Sequence, residues 1–187
     1  MFEFVTRLFK PQFTWKYMDL DASLVDEIRQ AYLSNLPDYS NGTYFVQILD
    51  IKLPLIKGKQ VASACLIYTP GNNDIRMAHK DPFELLNGSS TYALNIPFIN
   101  CENSRTTLYK DRKPFFISSK QGAAYAQPKN EAMVEIQAIY KIKPFTSYVL
   151  DRPILFDTQI FHAVHNFSPE PRLAISLRFT EQPVEWL

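Results

Sequence analysis

Residues 153–179 read PILFDTQIFHAVHNFSPEPRLAISLRF, and this stretch decides the fold. It holds three short runs, Ile154–Asp157, Ile160–Asn166 and Leu173–Phe179, rich in apolar β-formers and divided by Asp, Asn, Ser and Pro clusters. Such spacing reads as consecutive strands with tight connections. In the last run Arg172, Ala174 and Ser176 fall on one face, and Leu173, Ile175 and Leu177 on the other, because side chains alternate along a strand.

Upstream the same grammar repeats. Strands are expected at Thr43–Ile51, Val61–Tyr68, Asp74–His79, Thr91–Pro97, Thr106–Lys110, Met133–Ile142 and Ser147–Leu150. One helix precedes them. Asp21 or Ser23 can cap it, Leu24, Ile28, Tyr32 and Leu33 recur at helical spacing, and acids are expected in its first turn. It should run from about Ser23 to Asn35, before Pro37. About ten short strands and one early helix predict a mainly β fold, an antiparallel sandwich or jelly roll with the helix packed on one sheet. The interior of such a barrel has room for a metal and a small cosubstrate. No repeat or linker divides the 187 residues, so a single domain over 1–187 is expected, with its core at about 43–180. The 13 prolines punctuate short segments and argue against long helices.

Composition narrows the function classes. Apolar residues make up 46%, which suits a globular chain with a real core. The net charge of +1 comes from intermixed acids and bases, so no nucleic-acid signature is evident. No apolar window long enough to span a membrane occurs, and the start lacks the pattern of a signal peptide. Cys65 and Cys101 fit no zinc or redox spacing; buried free thiols and a cytoplasmic setting are expected.

Only three histidines occur: His79, His162 and His165. His79 and Asp81 are two apart on an extended segment, so both point to one side and a single ion can take both. A further His from a neighbouring strand completes a set of two imidazoles and one carboxylate with open positions, which suits iron(II) oxygen chemistry. Arg172 and Ser176 on the interior face near that metal form a carboxylate receptor: a bidentate fork and a hydroxyl donor.

Together these residues resemble the Fe(II)/2-oxoglutarate-dependent oxygenases, the double-stranded β-helix (cupin-like) enzymes, and especially their prolyl and aspartyl/asparaginyl hydroxylase branch. The matching pieces are His79-x-Asp81 with the strand Tyr92–Pro97, then Thr106–Tyr109, then His162-Ala163-Val164 with Arg172-x-x-x-Ser176, over about Ile75 to Phe179. The resemblance implies His79, Asp81 and His162 as metal ligands. It favours His162 over His165, because His162 stands ten residues before Arg172. It implies that Arg172 and Ser176 bind the far carboxylate of 2-oxoglutarate, with Arg178, of the same parity, as the rival to Arg172. Asn95 stands where the prolyl hydroxylase branch has a cosubstrate-holding Tyr; Tyr109, or less directly Tyr68, could supply that hydroxyl.

The cofactors implied are Fe(II), 2-oxoglutarate and O2, and the activity is hydroxylation with release of succinate and CO2. A peptide side chain, a free amino acid or another small molecule would serve as substrate, with Pro82–Ser90 and the basic stretch Asp111–Gln127 as loops over the barrel mouth. The other reading is a cupin-like metal-dependent enzyme or binding protein that uses the same triad without 2-oxoglutarate.

Overall fold

The structure, a computed structural model, describes residues 14–34, 36, 45–72, 78–81, 90–110 and 143–187. Its elements in chain order are β1 (Trp15–Tyr17), α1 (Ala22–Leu33), β2 (Phe45–Leu49), β3 (Val61–Thr69), β4 (Tyr92–Ile99), β5 (Ser104–Lys110), β6 (Lys143–Tyr148), β7 (Ile154–Asp157), β8 (Phe161–Asn166), β9 (Arg172–Phe179) and a 3₁₀ turn at Val184–Trp186. The fold is mainly β. Six strands form one antiparallel sheet in the order β1-β7-β4-β9-β3-β2, and three form a second in the order β6-β5-β8.

Alternation assigns each face of the large sheet. Leu66, Leu94, Ile96, Leu173, Ile175, Leu177 and Phe179 pack against Val25, Ile28 and Tyr32 of α1 and against Trp186. The opposite face turns toward the small sheet: Ala93, Ile154, Phe156 and Ala174 meet Leu108 and Tyr148 there. The polar side chains of β9 therefore look into the space between the sheets, while its apolar ones support the helix.

Asp21 caps α1 by accepting the Ser23 backbone N–H at 2.8 Å. No acid lies in its first turn, contrary to expectation; Asp26 and Glu27 come one turn later. Ser34 closes the helix through the Gln30 carbonyl. Arg29 pins α1 to the sheet by donating to the Pro97 carbonyl from Nε at 3.1 Å and Nη2 at 3.0 Å. Pro97 lies where the register between β4 and β9 shifts, which is how an interior strand accommodates a residue without an N–H.

Two expectations shift. β1 is added: its three residues borrow order from β7, with Met18 N–H bonded to the Pro153 carbonyl and Asp157 N–H to the Thr14 carbonyl. The strand expected at Ser147–Leu150 is instead β6, which starts earlier and carries Pro144 on a sheet edge at a register shift. The strand expected at Met133–Ile142, most of Asp74–His79 and the loops at 82–89 and 111–127 lie outside the described residues. Among the described residues, no helix is long and apolar enough to cross a membrane.

Candidate metal centre

His79 and His162 face each other across an isolated antiparallel bridge, with His79 N–H to His162 carbonyl at 2.9 Å and the reverse bond at 2.8 Å. Their rings lie 4.5 Å apart, centroid to centroid. Asp81, two residues beyond His79, comes to the same side. Its Oδ1 is 3.6 Å from His79 Nε2 and 3.5 Å from His162 Nε2. One donor atom from each of the three lies within 4.8 Å of the others, so the group could hold a metal ion. Two imidazole nitrogens and one carboxylate oxygen on one side of the ion suit ferrous iron, which needs open positions on the other.

The surroundings fix each donor. His162 is buried, and its Nδ1 lies 2.9 Å from the Ile160 carbonyl. A carbonyl can only accept, so Nδ1 carries the proton and Nε2 offers its lone pair to a metal. Burial, helped by the nearby His79, lowers the His162 pKa to about 4, so the ring is neutral at pH 7. Phe156 packs its edge on that ring at 5.1 Å. Burial raises the Asp81 carboxyl, but the His79 hydrogen bond, the His162 imidazole once acid protonates it, and the Arg178 charge outweigh this and hold the group well below the usual range. Asp81 is thus an anion ready to ligate. Arg178 pairs with Asp81 Oδ2, and its Nη1 donates to Thr158 Oγ1 at 2.8 Å. The Asp81 backbone is held at both ends, its N–H by the Thr158 carbonyl at 3.1 Å and its carbonyl by Gln159 Nε2 at 3.1 Å.

Farther along the inner face of β9 lies Arg172, only 2% exposed. Its Nε and Nη1 are buried with no hydrogen-bond partner among the described residues. The residue paired with it on β3 is Thr69, whose buried Oγ1 is also unpartnered. Tyr148 is buried too, and among the described residues its hydroxyl finds no partner of hydrogen-bond geometry. Burial pushes that phenol up; the nearby Thr106 hydroxyl and the Arg172 charge act against this, and the Asp81 charge adds to it. Tyr148 is therefore under the electrostatic influence of both Arg172 and Asp81. Phe156 links the two regions, with its ring 6.2 Å from Tyr148 and 5.1 Å from His162.

The remaining expected residues fall as follows. Ser176 shares the inner face but sits four residues, roughly 13 Å of strand, from Arg172, between Asn95 on β4 and Cys65 on β3. Asn95 is buried with its Oδ1 unpartnered. Tyr109 stands on the other face of the small sheet, with Ala78, Phe161 and Ala163. Tyr68 belongs to the core under α1. Neither hydroxyl stands on the face that carries Arg172. His165 has the opposite parity to His162 and stacks on Phe167 at 6.2 Å, outside the triad. Cys65 and Cys101 are free thiols, the first partly exposed and the second buried. Thr69, Tyr148, Thr158 and Gln159 were not singled out by sequence reasoning. Only alternation from a known register could have placed Thr69 and Tyr148 beside Arg172.

The described residues define an antiparallel β-sandwich with a two-histidine, one-aspartate centre at one end of its interior. No family model and no curated protein matches the chain. Among solved structures it is similar to three of EctD from S. alaskensis. The one with 2-oxoglutarate and 5-hydroxyectoine has a TM-score of 0.46 at 14% identity, over 89% of this chain and 71% of that one. The one with bound Fe scores 0.42 at 14% identity, and the apoform 0.42 at 13%, each over 89% of this chain and 72% of that one.

Proposed function

We propose that this chain is a non-haem Fe(II)- and 2-oxoglutarate-dependent dioxygenase that hydroxylates an amino-acid residue, a free amino acid or another small molecule. The observation that carries the reading is Arg172. A guanidinium buried with two nitrogens unpartnered is costly unless an anion completes it. It opens into the same interior as the triad, with Tyr148 and Thr69 as adjoining hydroxyls. A dicarboxylate whose other end reaches the metal fits that arrangement.

The order of the strands supports the double-stranded β-helix. From β3 the chain passes to the His79 bridge beside β8, back to β4, across to β5 and β6, and then alternates through β7, β8 and β9. The catalytic unit is a single domain over 1–187, with its core at about 43–180.

His79, Asp81 and His162 would hold the iron. When bound, iron and 2-oxoglutarate supply the oxidising power: O2 and 2-oxoglutarate are consumed, one oxygen atom enters the substrate, and succinate and CO2 leave. The chain's own residues do the rest. Arg172, with Thr69 and Tyr148 as donors, anchors and orients the far carboxylate. Ser176 and Asn95 line the path between that anchor and the metal. Phe156, Leu108 and Ala174 keep the interior dry, which strengthens each polar contact within it.

The test is an anaerobic titration of the Fe(II) protein with 2-oxoglutarate, followed by succinate measurement in air. A visible charge-transfer band and succinate release are expected. Metal bound by the triad without any 2-oxoglutarate response would favour the cupin-like alternative. Failure to bind metal above background would overturn both.

A further inference from the structure

Arg178 is the second guanidinium on the inner face of β9, and it is 6% exposed. One nitrogen, Nη2, pairs with Asp81 Oδ2, and the other, Nη1, donates to Thr158 Oγ1 at 2.8 Å. Thr158 is anchored in turn, donating from Oγ1 to the Thr91 carbonyl at 2.7 Å. Its own carbonyl accepts the Asp81 N–H at 3.1 Å. The fork of one side chain therefore spans the Asp81 carboxylate and the residue that also holds the Asp81 backbone.

This divides the two oxygens of Asp81. Oδ1 faces both histidine Nε2 atoms, at 3.6 and 3.5 Å, and Oδ2 is turned away onto Arg178. A carboxylate with both oxygens free can chelate an ion; one with an oxygen engaged by a guanidinium offers a single donor. We infer that Arg178 is a positioning residue that restricts Asp81 to one metal–oxygen bond, so that an ion at the triad keeps one more position for exogenous ligands than it otherwise would. The inference rests on the metal reading given above.

A rival explanation makes opposite predictions. If Arg178 acted only through its charge, it would repel a cation, and removing it would tighten metal binding. Lysine keeps the charge but is a point donor that cannot bridge Asp81 and Thr158. Arg178→Lys and Arg178→Met therefore separate fork from charge.

The experiment uses Mn(II) in the full chain. Electron paramagnetic resonance of free Mn(II) reads affinity, and water-proton relaxivity reads the number of exchangeable waters. The wild type is expected to hold about three waters, falling to about one when 2-oxoglutarate saturates it. Arg178→Lys and Arg178→Met should both lose about one water in each state and bind Mn(II) roughly 10–100-fold more weakly. Unchanged water counts overturn the inference, whether Arg178→Met binds more tightly with Arg178→Lys unaltered or both bind like the wild type. Thr158→Val removes the fork's second anchor, together with the Thr158–Thr91 bond, and leaves Arg178 itself in place; it should lower relaxivity in the same direction. If the Arg178 variants fail to fold, an unchanged relaxivity in Thr158→Val overturns the inference. Asp81→Ala serves as the control. Wild type that holds Mn(II) no better than Asp81→Ala overturns the metal reading itself, whereas a failure confined to Arg178 and Thr158 leaves that reading standing.

Discussion

Arg172 and the triad place opposite demands on the same interior. On the proposed reading the triad takes a cation, and Arg172 takes an anion. Asp81→Ala removes the only carboxylate of the triad and is expected to abolish metal binding, measured as metal retained after dialysis. Arg172→Met should weaken 2-oxoglutarate binding by about 2 kcal/mol or more, the worth of a charge-assisted hydrogen-bond set. The ligand-free variant should melt no lower than the wild type, because replacing an uncompensated buried charge by an apolar side chain of similar size is neutral or stabilising. Loss of binding combined with a lower melting point would argue that Arg172 is structural. His162 gives a pH dependence. Its folded pKa of about 4 lies below the ordinary value of 6.5, so the folded state resists protonation. Above pH 6.5 this has no effect on stability. As pH falls from 6.5 toward 4 the unfolded chain takes up the proton first, and the metal-free protein should lose up to about 3 kcal/mol. Denaturant unfolding across that range checks it, with His162→Gln expected to flatten the slope.

At the scale of elements, the connection from β8 to β9 positions Arg172, and Asn166 ties it at several points. Asn166 donates from Nδ2 to the Pro70 carbonyl at 3.0 Å and the Glu170 carbonyl at 2.9 Å, and its Oδ1 accepts the Ser168 N–H at 3.2 Å. It ties the turn after β3 to the turn before β9, which brings Thr69 and Arg172 side by side. Gly71 completes the joint by close approach: a Cβ there would lie 1.8 Å from the Pro169 carbonyl oxygen. Gly71→Ala must push the two turns apart and should cost about 2 kcal/mol. Asn166→Ala should cost a similar amount through the carbonyls it strands. Both should weaken 2-oxoglutarate binding more than metal binding, because the joint lies at the Arg172 end. Equal losses of the two ligands would show that the joint does not set that end. The element boundaries near the site were legible from alternation and turn residues, as with Ile154–Asp157 and Leu173–Phe179. β1 was not, because three residues carry no period of their own and are ordered only by pairing with β7.

For the whole molecule, the large sheet separates two jobs. Its outer face carries α1 and the apolar half of β9; its inner face lines the interior that holds the site. Ile28, fully buried on the sheet-facing side of α1, therefore bears on stability without touching the centre. Ile28→Ala should cost about 3 kcal/mol while leaving metal affinity within a factor of two or so. Paired melting curves and metal titrations test this. A large loss of affinity would mean that the sheet transmits strain between its faces.

What the sequence determined by itself was local: the mainly β character, the capped helix, and the parity that sends Arg172, Ser176 and Arg178 one way and Leu173, Ile175 and Leu177 the other. The pattern His79-x-Asp81 also put two candidate donors together, because a two-residue step on extended chain keeps a shared side, while the choice of His162 over His165 came from the family resemblance. Only the tertiary structure decided who stands beside whom. Thr69 and Tyr148 are the hydroxyls near Arg172, whereas Ser176 lies four residues away along β9 and Tyr109 and Tyr68 face elsewhere. The carbonyl of Ile160 sets the His162 proton, and Arg178 takes the second oxygen of Asp81. The reason is physical: alternation along one strand fixes the face of a side chain, but its neighbours follow from register and from how two sheets stack, and these depend on residues far apart in the chain.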